Sequence, residues 1–305
     1  MSPSRIKAYL TILLVTVIWG IATPVIKFTL GEFDPITFLV YRFGISSIIS
    51  IFLILTFKFK FPKKFADIAL LIIYGVLASS VSLALLFFGL KNTTVLDSSL
   101  ITLSDPLLIS IAGVYFLGER ISRREKIGIS IAVLGTLLTI IEPLIQNGNG
   151  HLRLSGNIMI IAYAVVVAGT AVLAKVLLRR GIEASTMTAL SFILGFVTLL
   201  PFWITSGSSL YTIYNIPYTF HLGVFYMAVI SGSLAFYLSN KAQKSIEIGE
   251  QAIFGYMYPV FAAPLAVLWL GEKITPIFII GAIVIAIGVA IAEMKKKRYN
   301  TTSRK

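Results

Sequence analysis

The feature that most constrains this chain is its series of long apolar blocks, each near twenty residues, separated by short polar segments. A bilayer core is about 30 Å thick, so a helix rising about 1.5 Å per residue needs about 20 apolar residues to cross it. Backbone N–H and C=O groups find no water inside lipid, so each block must close its own hydrogen bonds as a helix. The alternating ten-residue segments of a membrane barrel are absent. Charged residues make up only 13% of the chain and hydrophobic ones 57%, where a soluble domain carries about 25% charge. The sequence therefore predicts an all-α integral membrane protein.

Ten transmembrane helices are expected, at 8–30, 36–57, 67–90, 94–117, 125–142, 155–178, 184–206, 219–241, 247–270 and 275–294. Gly31 to Pro35, Phe61-Pro62, Gly118 and Gly271 punctuate the blocks as turn residues do. Arg5 and Lys7 precede the first block, which is too long for the apolar region of a signal peptide and lacks a small-residue cleavage site, so it reads as a retained helix. With the N-terminus in the cytoplasm, 20 Lys and Arg fall in cytoplasmic segments, 3 in outer ones and 3 (Lys27, Arg42 and Lys175) within spans. Cytoplasmic loops are the ones that hold excess Lys and Arg, so both termini are expected inside a multi-pass protein of the cell membrane. The +13 net charge thus reads as topology rather than as a nucleic-acid surface.

An internal repeat runs at an offset of 153 residues. Pro106 matches Pro259, Leu117-Gly118-Glu119 matches Leu270-Gly271-Glu272, Ile121 matches Ile274, and Gly128 and Gly135 match Gly281 and Gly288. Lys27 and Lys175 match at an offset of 148. Five spans per copy is an odd number, so the copies must insert in opposite directions. Inverted repeats of this kind are typical of secondary transporters, which hold the substrate near the midplane between the repeats. The expected organisation is a first five-helix repeat at 1–145, an outer linker at 146–154, a second five-helix repeat at 155–294 and a basic cytoplasmic tail at 295–305.

The ordered set Trp19-Gly20, Pro24, Lys27, Pro35, Arg42, Pro106 and Leu117-Gly118-Glu119, with Pro259 and Leu270-Gly271-Glu272 in the second copy, resembles the EamA-type domain of the drug/metabolite transporter superfamily. The resemblance covers nearly the whole chain as two such domains. It departs at Val167-Ala168, where the first copy has Trp19-Gly20, and in span seven, which lacks an Arg matching Arg42. It implies a ten-helix transporter, often an exporter of amino acids or other metabolites.

Asp105 is the foremost candidate residue. Span four starts near Thr94, and eleven residues of helix place Asp105 about 16 Å deep, close to the midplane. An ionisable group at that depth is costly and marks function by default. Ser98, Thr102 and Asp105 share one helical face that could line a polar cavity. Asp105 could bind a substrate amine or carry a proton; a structural hydrogen bond to a neighbouring helix is the competing reading, and the counterpart in the second copy is Tyr258. Pro106 and Pro259 free the carbonyls four residues back, at Thr102 and Gly255, and read either as hinges or as fixed kinks.

Further polar and aromatic residues could complete a small-molecule site: Ser79, with Ser80 and Ser82 and then Phe87 and Phe88, on span three; and, at helical spacing, Tyr163 and Thr170 on span six, Tyr237 and Asn240, with Ser233, on span eight, and Gln251, Phe254 and Tyr258 on span nine. Ordinary helix packing competes for each of them. Trp19 lies midway along span one, too deep for an interfacial belt, and faces either the cavity or a neighbouring helix. Lys27, Arg42 and Lys175 read as paired or snorkelling charges, with an anion-attracting outer gate as the alternative for the first two. Asp97 and Glu250 read as interfacial, and Glu119 and Glu272 as helix-end salt bridges to Arg120 and Lys273.

No nucleotide-binding loop is present, so ATP hydrolysis is not expected. Without Cys, and with only His151 and His221 near loops, no metal, cofactor or catalytic cluster is expected and the chain reads as a non-enzyme. The leading expectation is a secondary transporter exporting small metabolites such as amino acids by alternating access; the alternative is a non-transporting membrane sensor or scaffold. Expected partners are the small-molecule substrate, a proton and membrane lipid, contacted by the tail Lys295-Lys296-Lys297-Arg298, with no nucleic acid, in a monomer or homodimer.

Overall fold

The computed structural model describes residues 3–57, 59–118, 123–145, 150–207 and 213–293. Glu119, Arg120, Ile121, residues 146–149 of the expected linker and the basic tail lie outside the described residues. Ten long helices make up the fold among the residues described. They are α1 (Pro3–Thr29), α2 (Pro35–Thr56), α3 (Phe65–Asn92), α4 (Val95–Leu117), α5 (Arg123–Ile145), α6 (Gly150–Arg179), α7 (Ala184–Thr205), α8 (Tyr218–Gln243), α9 (Ile248–Ala252 continuing through Ile253–Met257 into Tyr258–Leu268) and α10 (Pro276–Glu293). Eight of them are long and apolar enough to cross a membrane. The other two are α5 and α10, and α10 carries an apolar run at Pro276–Ile291 among the described residues.

Local chemistry sets the helix ends. Asp34 accepts the N–H groups of Ile36 and Thr37, both at 3.0 Å, and Pro35 occupies the first turn where no donor is needed. Thr94 caps α4 by accepting from the Asp97 N–H. Gly118 and Gly271, 153 residues apart, end α4 and α9 at φ +70° and +68°, a conformation that favours glycine. Lys27 donates to the carbonyls of Leu90 (2.7 Å) and Thr93 (2.6 Å) at the end of α3. Lys175 donates to those of Gln243 (2.8 Å) and Ile246 (2.7 Å) at the end of α8. Both lysines therefore satisfy helix C-termini, where the dipole favours a cation, rather than snorkelling. Glu272 makes no ion pair with Lys273 among the described residues; it accepts the N–H groups of Val95 (2.7 Å) and Leu96 (2.9 Å) at the start of α4. Burial pushes its carboxyl above the usual range, and those two donors together with Lys27 draw it back only in part.

The repeat is written into the backbone irregularities. A π-helical segment at Val76–Val81 interrupts α3 and another at Tyr226–Leu234 interrupts α8. A 3-10 turn at Thr102–Ser104 interrupts α4 and another at Ile253–Met257 interrupts α9. The first helix of each copy packs on the fourth helix of the other, α1 on α9 and α6 on α4. The fifth helices, α5 and α10, pack on each other through small residues. A Cβ built at Gly288 would lie 2.5 Å from Ala132 N and 2.6 Å from Gly128 O, and one at Gly135 only 3.0 Å from Gly281 O. Gly128 meets Gly288 and Gly135 meets Gly281, so the two helices run antiparallel and each patch meets the other's counterpart, as in a two-fold interface.

Because this seam has no room for a methyl group, Gly288→Ala should cost about 1–3 kcal/mol through overpacking. Gly169 has nothing within 4 Å of its Cβ position, so Gly169→Ala should leave stability unchanged or raise it. Thermal unfolding of the detergent-solubilised protein compares the two; equal midpoints would contradict the close seam.

Candidate functional site

A cavity of about 210 Å³ lies between α1, α2, α3, α4, α6, α8 and α9. None of α5, α7 or α10 lines it. The walls are largely apolar, contributed by residues such as Ala22, Ile26, Leu83, Leu86 and Ile109, with polar groups set among them.

Asp105 stands in this wall, 6% exposed, and its Oδ1 has no hydrogen-bond partner. The backbone explains its placement. Pro106 cannot donate to Thr102, and the chain tightens into the 3-10 turn just before it. The carbonyls freed by the two prolines are not left empty. Thr102 O takes the Asp105 N–H and Gly255 O takes the Tyr258 N–H. The two breaks meet, since a Cβ at Gly255 would lie 3.4 Å from Pro106 Cγ. Tyr163 on α6 and Tyr258 on α9 line the same cavity, so the second copy lays two phenols near a carboxylate of the first.

Of the residues singled out in the sequence, Trp19, Ser98, Thr102, Asp105, Pro106, Tyr163, Thr170, Asn240, Gln251 and Tyr258 line the cavity. The indole N–H of Trp19 donates to Ser231 O at 3.0 Å, a carbonyl within the π-helical segment of α8, and its ring meets Phe236 edge-on at 5.3 Å. Ser98 Oγ and Gln251 Oε1 have no partner, while Gln251 Nε2 donates to Ser239 at 2.7 Å. Asn240 accepts from Tyr74 OH at 3.2 Å and donates to Thr188 at 3.1 Å.

Ser79, Tyr237, Phe254 and Pro259 lie elsewhere. Ser79 donates to Gly75 O at 2.6 Å and faces Gly195 of α7. The π-helical segment adds a residue to the turn and rotates the face, so Ser82 reaches the cavity in its place. In α8, Ser231 within the π-helical segment and Ser239 beyond it line the wall, while Tyr237, in the regular α-helix that follows, meets Lys241 one turn on, whose ammonium lies 5.4 Å from the ring. The 3-10 segment of α9 swings Phe254 onto Tyr9, ring centroids 6.0 Å apart. Sequence spacing also missed Tyr74, Gln243 and Arg42 as lining residues. Arg42 carried a readable signal: its helical neighbours Phe38, Leu39, Ile45 and Ser46 include no acid to pair it.

Ion pairs join the copies at several places away from the cavity, Lys60 with Glu183 and Arg180 with Asp67 among them, and two others are related by the repeat. Arg153 on α6 holds Asp97 on α4 in a fork, Nε to Oδ2 at 2.6 Å and Nη2 to Oδ1 at 2.7 Å, with Glu142 at 3.6 Å and Asn157 and Thr93 also on the carboxylate. Arg5 on α1 holds Glu250 on α9. Arg5 and Arg153 are 148 apart, the spacing of the two lysines, and Asp97 and Glu250 are 153 apart. The two bridges are therefore counterparts across the repeat.

The EamA-like transporter family model matches residues 6–141 and 154–294, once on each copy. The Uncharacterized transporter YetK of Bacillus subtilis (strain 168) is 30% identical over 262 residues, 84% of this chain and 78% of that protein. A probable amino-acid metabolite efflux pump of Escherichia coli (strain K12) is 25% identical over 289 residues, 92% of each chain. A solved crystal structure shares the fold at a TM-score of 0.65 and 18% identity, covering 96% of this chain and 97% of that one. With an all-helical fold, eight helices fit to span a bilayer and a family model on both halves, this multi-pass membrane protein belongs to the EamA-like transporter family.

Proposed function

We propose that the protein is a secondary transporter that exports small metabolites, amino acids among them, across the cell membrane by alternating access between two oppositely inserted five-helix copies. The observation that carries this reading is the cavity with an unpartnered Asp105 oxygen at the meeting of the two copies. A buried polar atom without a partner costs stability, on the order of 1–3 kcal/mol, and a binding site is a reason to keep it. A scaffold or sensor has no use for such a void and would be better served by a paired Asp105. The antiparallel contact of α5 and α10 supports opposite insertion, and the charge distribution supports cytoplasmic termini. The probable efflux pump among the relatives supports an amino-acid-like cargo.

Asp105 takes the cargo amine or a proton, which couples flux to the gradient. The inter-copy bridges act as latches. Arg153–Asp97 closes the outer end and Arg5–Glu250 the inner one; both are made here, so rocking toward either side breaks the bridge at that end while its counterpart holds. Asp97 is 1% exposed and Arg153 22%, and removing one partner of a buried pair costs about 3–5 kcal/mol.

In proteoliposomes loaded with a metabolite panel, the wild-type protein should move at least one solute, and no flux for any of them would reject transport. Asp105→Asn should abolish proton-driven flux and its pH dependence; a pH profile like that of the wild type would reject the coupling role. The latch account is read with a single introduced cysteine, Thr23→Cys, at the cavity wall. Adding Asp97→Asn should speed its labelling by an impermeant thiol reagent from outside several-fold, and adding Glu250→Gln should slow it. Shifts in the same direction would contradict paired latches.

A further inference from the structure

We propose that Arg42 is an anion receptor, taking the carboxylate of a cargo whose amine is met by Asp105, so that the site selects zwitterions. This deepens the transport reading, on which it rests for its purpose.

Arg42 is 1% exposed, stands in the cavity wall, and none of Nε, Nη1 and Nη2 has a hydrogen-bond partner. A guanidinium has five N–H donors and is not deprotonated in proteins, so a full cation stands there unpaired. Taking such an ion out of water costs several kcal/mol unless an anion and hydrogen bonds compensate it. The rings of Phe43 and Phe87, 5.3 and 5.6 Å from its carbon, offset part of that, since a desolvated cation–π contact is worth about 2 kcal/mol. The other two cations within spans, Lys27 and Lys175, both have carbonyl partners at helix ends. Arg42 is the exception among the three.

The surroundings hold the fork in place. Nη2 lies 3.2 Å from the Cβ position of Gly232, so α8 closes one side and a larger residue there would collide with it. Ser46, one turn along, spends its hydroxyl on Ala228 O at 2.9 Å and leaves Arg42 alone. The remaining open side is the cavity, in which Asp105 presents its unpartnered Oδ1. An unmatched cation and an unmatched carboxylate in one chamber are satisfied together by a molecule bearing both opposite charges. An Arg fork fits a planar carboxylate in bidentate fashion. Both charges belong to the first copy, because Tyr258 stands in the place of Asp105 and α7 has no arginine. The site is thus polar in one sense and orients a single cargo molecule.

The test is isothermal titration of the purified full-length protein in nanodiscs with L-leucine and 6-aminohexanoate, which separate the two charges by different lengths, and with the amide and N-acetyl derivative of each. At least one zwitterion should bind, and both of its derivatives should bind about tenfold or more weakly, as expected for loss of a charged hydrogen-bond partner. Arg42→Gln should abolish the preference for acid over amide and Arg42→Lys should keep part of it. The derivative series on the wild-type protein stands even if neither variant folds. An amide that binds the wild-type protein as well as its acid, or no binding by either zwitterion, overturns the assignment. Zwitterion binding without flux in proteoliposomes would reject transport and leave Arg42 standing as the anion site, whereas flux of solutes with no such preference would reject Arg42 alone.

Discussion

The structure depends on one constraint: polar groups inside an apolar slab need partners from the protein itself. Neither copy meets this alone. Asp97 of the first copy is held by Arg153 of the second, Glu250 of the second by Arg5 of the first, and the start of α4 is capped by Glu272 from beyond α9. Lys27 and Lys175 complete the ends of α3 and α8 within their own copies. Because the partners cross the repeat in matched pairs, satisfying them brings the copies together in a two-fold relation, and the glycines of α5 and α10 allow the close approach. Weak attraction between helices in lipid makes such small-residue seams and polar ties the principal glue.

Against that rule, the central cavity is where the chain leaves polar groups unmatched. Arg42, Asp105, Ser98 and Gln251 each keep at least one polar atom without a partner, in a chamber whose other walls are apolar. Among the described residues, Arg5 Nε also lacks a partner, but that side chain is ion-paired through another atom, and Glu142 is ion-paired with Arg153, so Arg42 and Asp105 mark the place where something from outside completes the set. The irregular backbone coincides with this place. The π-helical segment of α8 supplies Ser231 O to Trp19, and the 3-10 turns of α4 and α9 place Asp105 and Tyr258 at the wall. Each irregularity occurs in both copies, as expected if the duplicated unit carried a bent, cavity-forming geometry before it diverged.

Much of this was legible in the sequence. The apolar blocks marked the helices to within a few residues, as α2 and α7 illustrate, and the 153-residue offset located Pro106 and Pro259 at matching breaks. Asp105 stood out because charge at depth is rare. Helical spacing failed for Phe254, read at 3.6 residues per turn with Gln251 and Tyr258 through a segment that is 3-10, while Ser79 lies in a π-helical segment and faces α7. The inter-copy bridges were hidden because Arg5 and Arg153 repeat at 148 while their acidic partners repeat at 153, so a single offset does not align both. Glu272 was read with its neighbour Lys273, whereas the folded chain brings it to the bare amides of α4.

The central claim is that equivalent positions of the two copies face opposite sides of the membrane. Lys91 and Lys244 are such a pair, 153 residues apart, both exposed at the ends of α3 and α8. The chain contains no cysteine, so Lys91→Cys and Lys244→Cys each carry a single thiol. Treated in intact cells with a membrane-impermeant maleimide, Lys91→Cys should label at once and Lys244→Cys only after the cells are permeabilised. Labelling of both from the same side would contradict two opposed copies, and the account of the cavity between them would go with it.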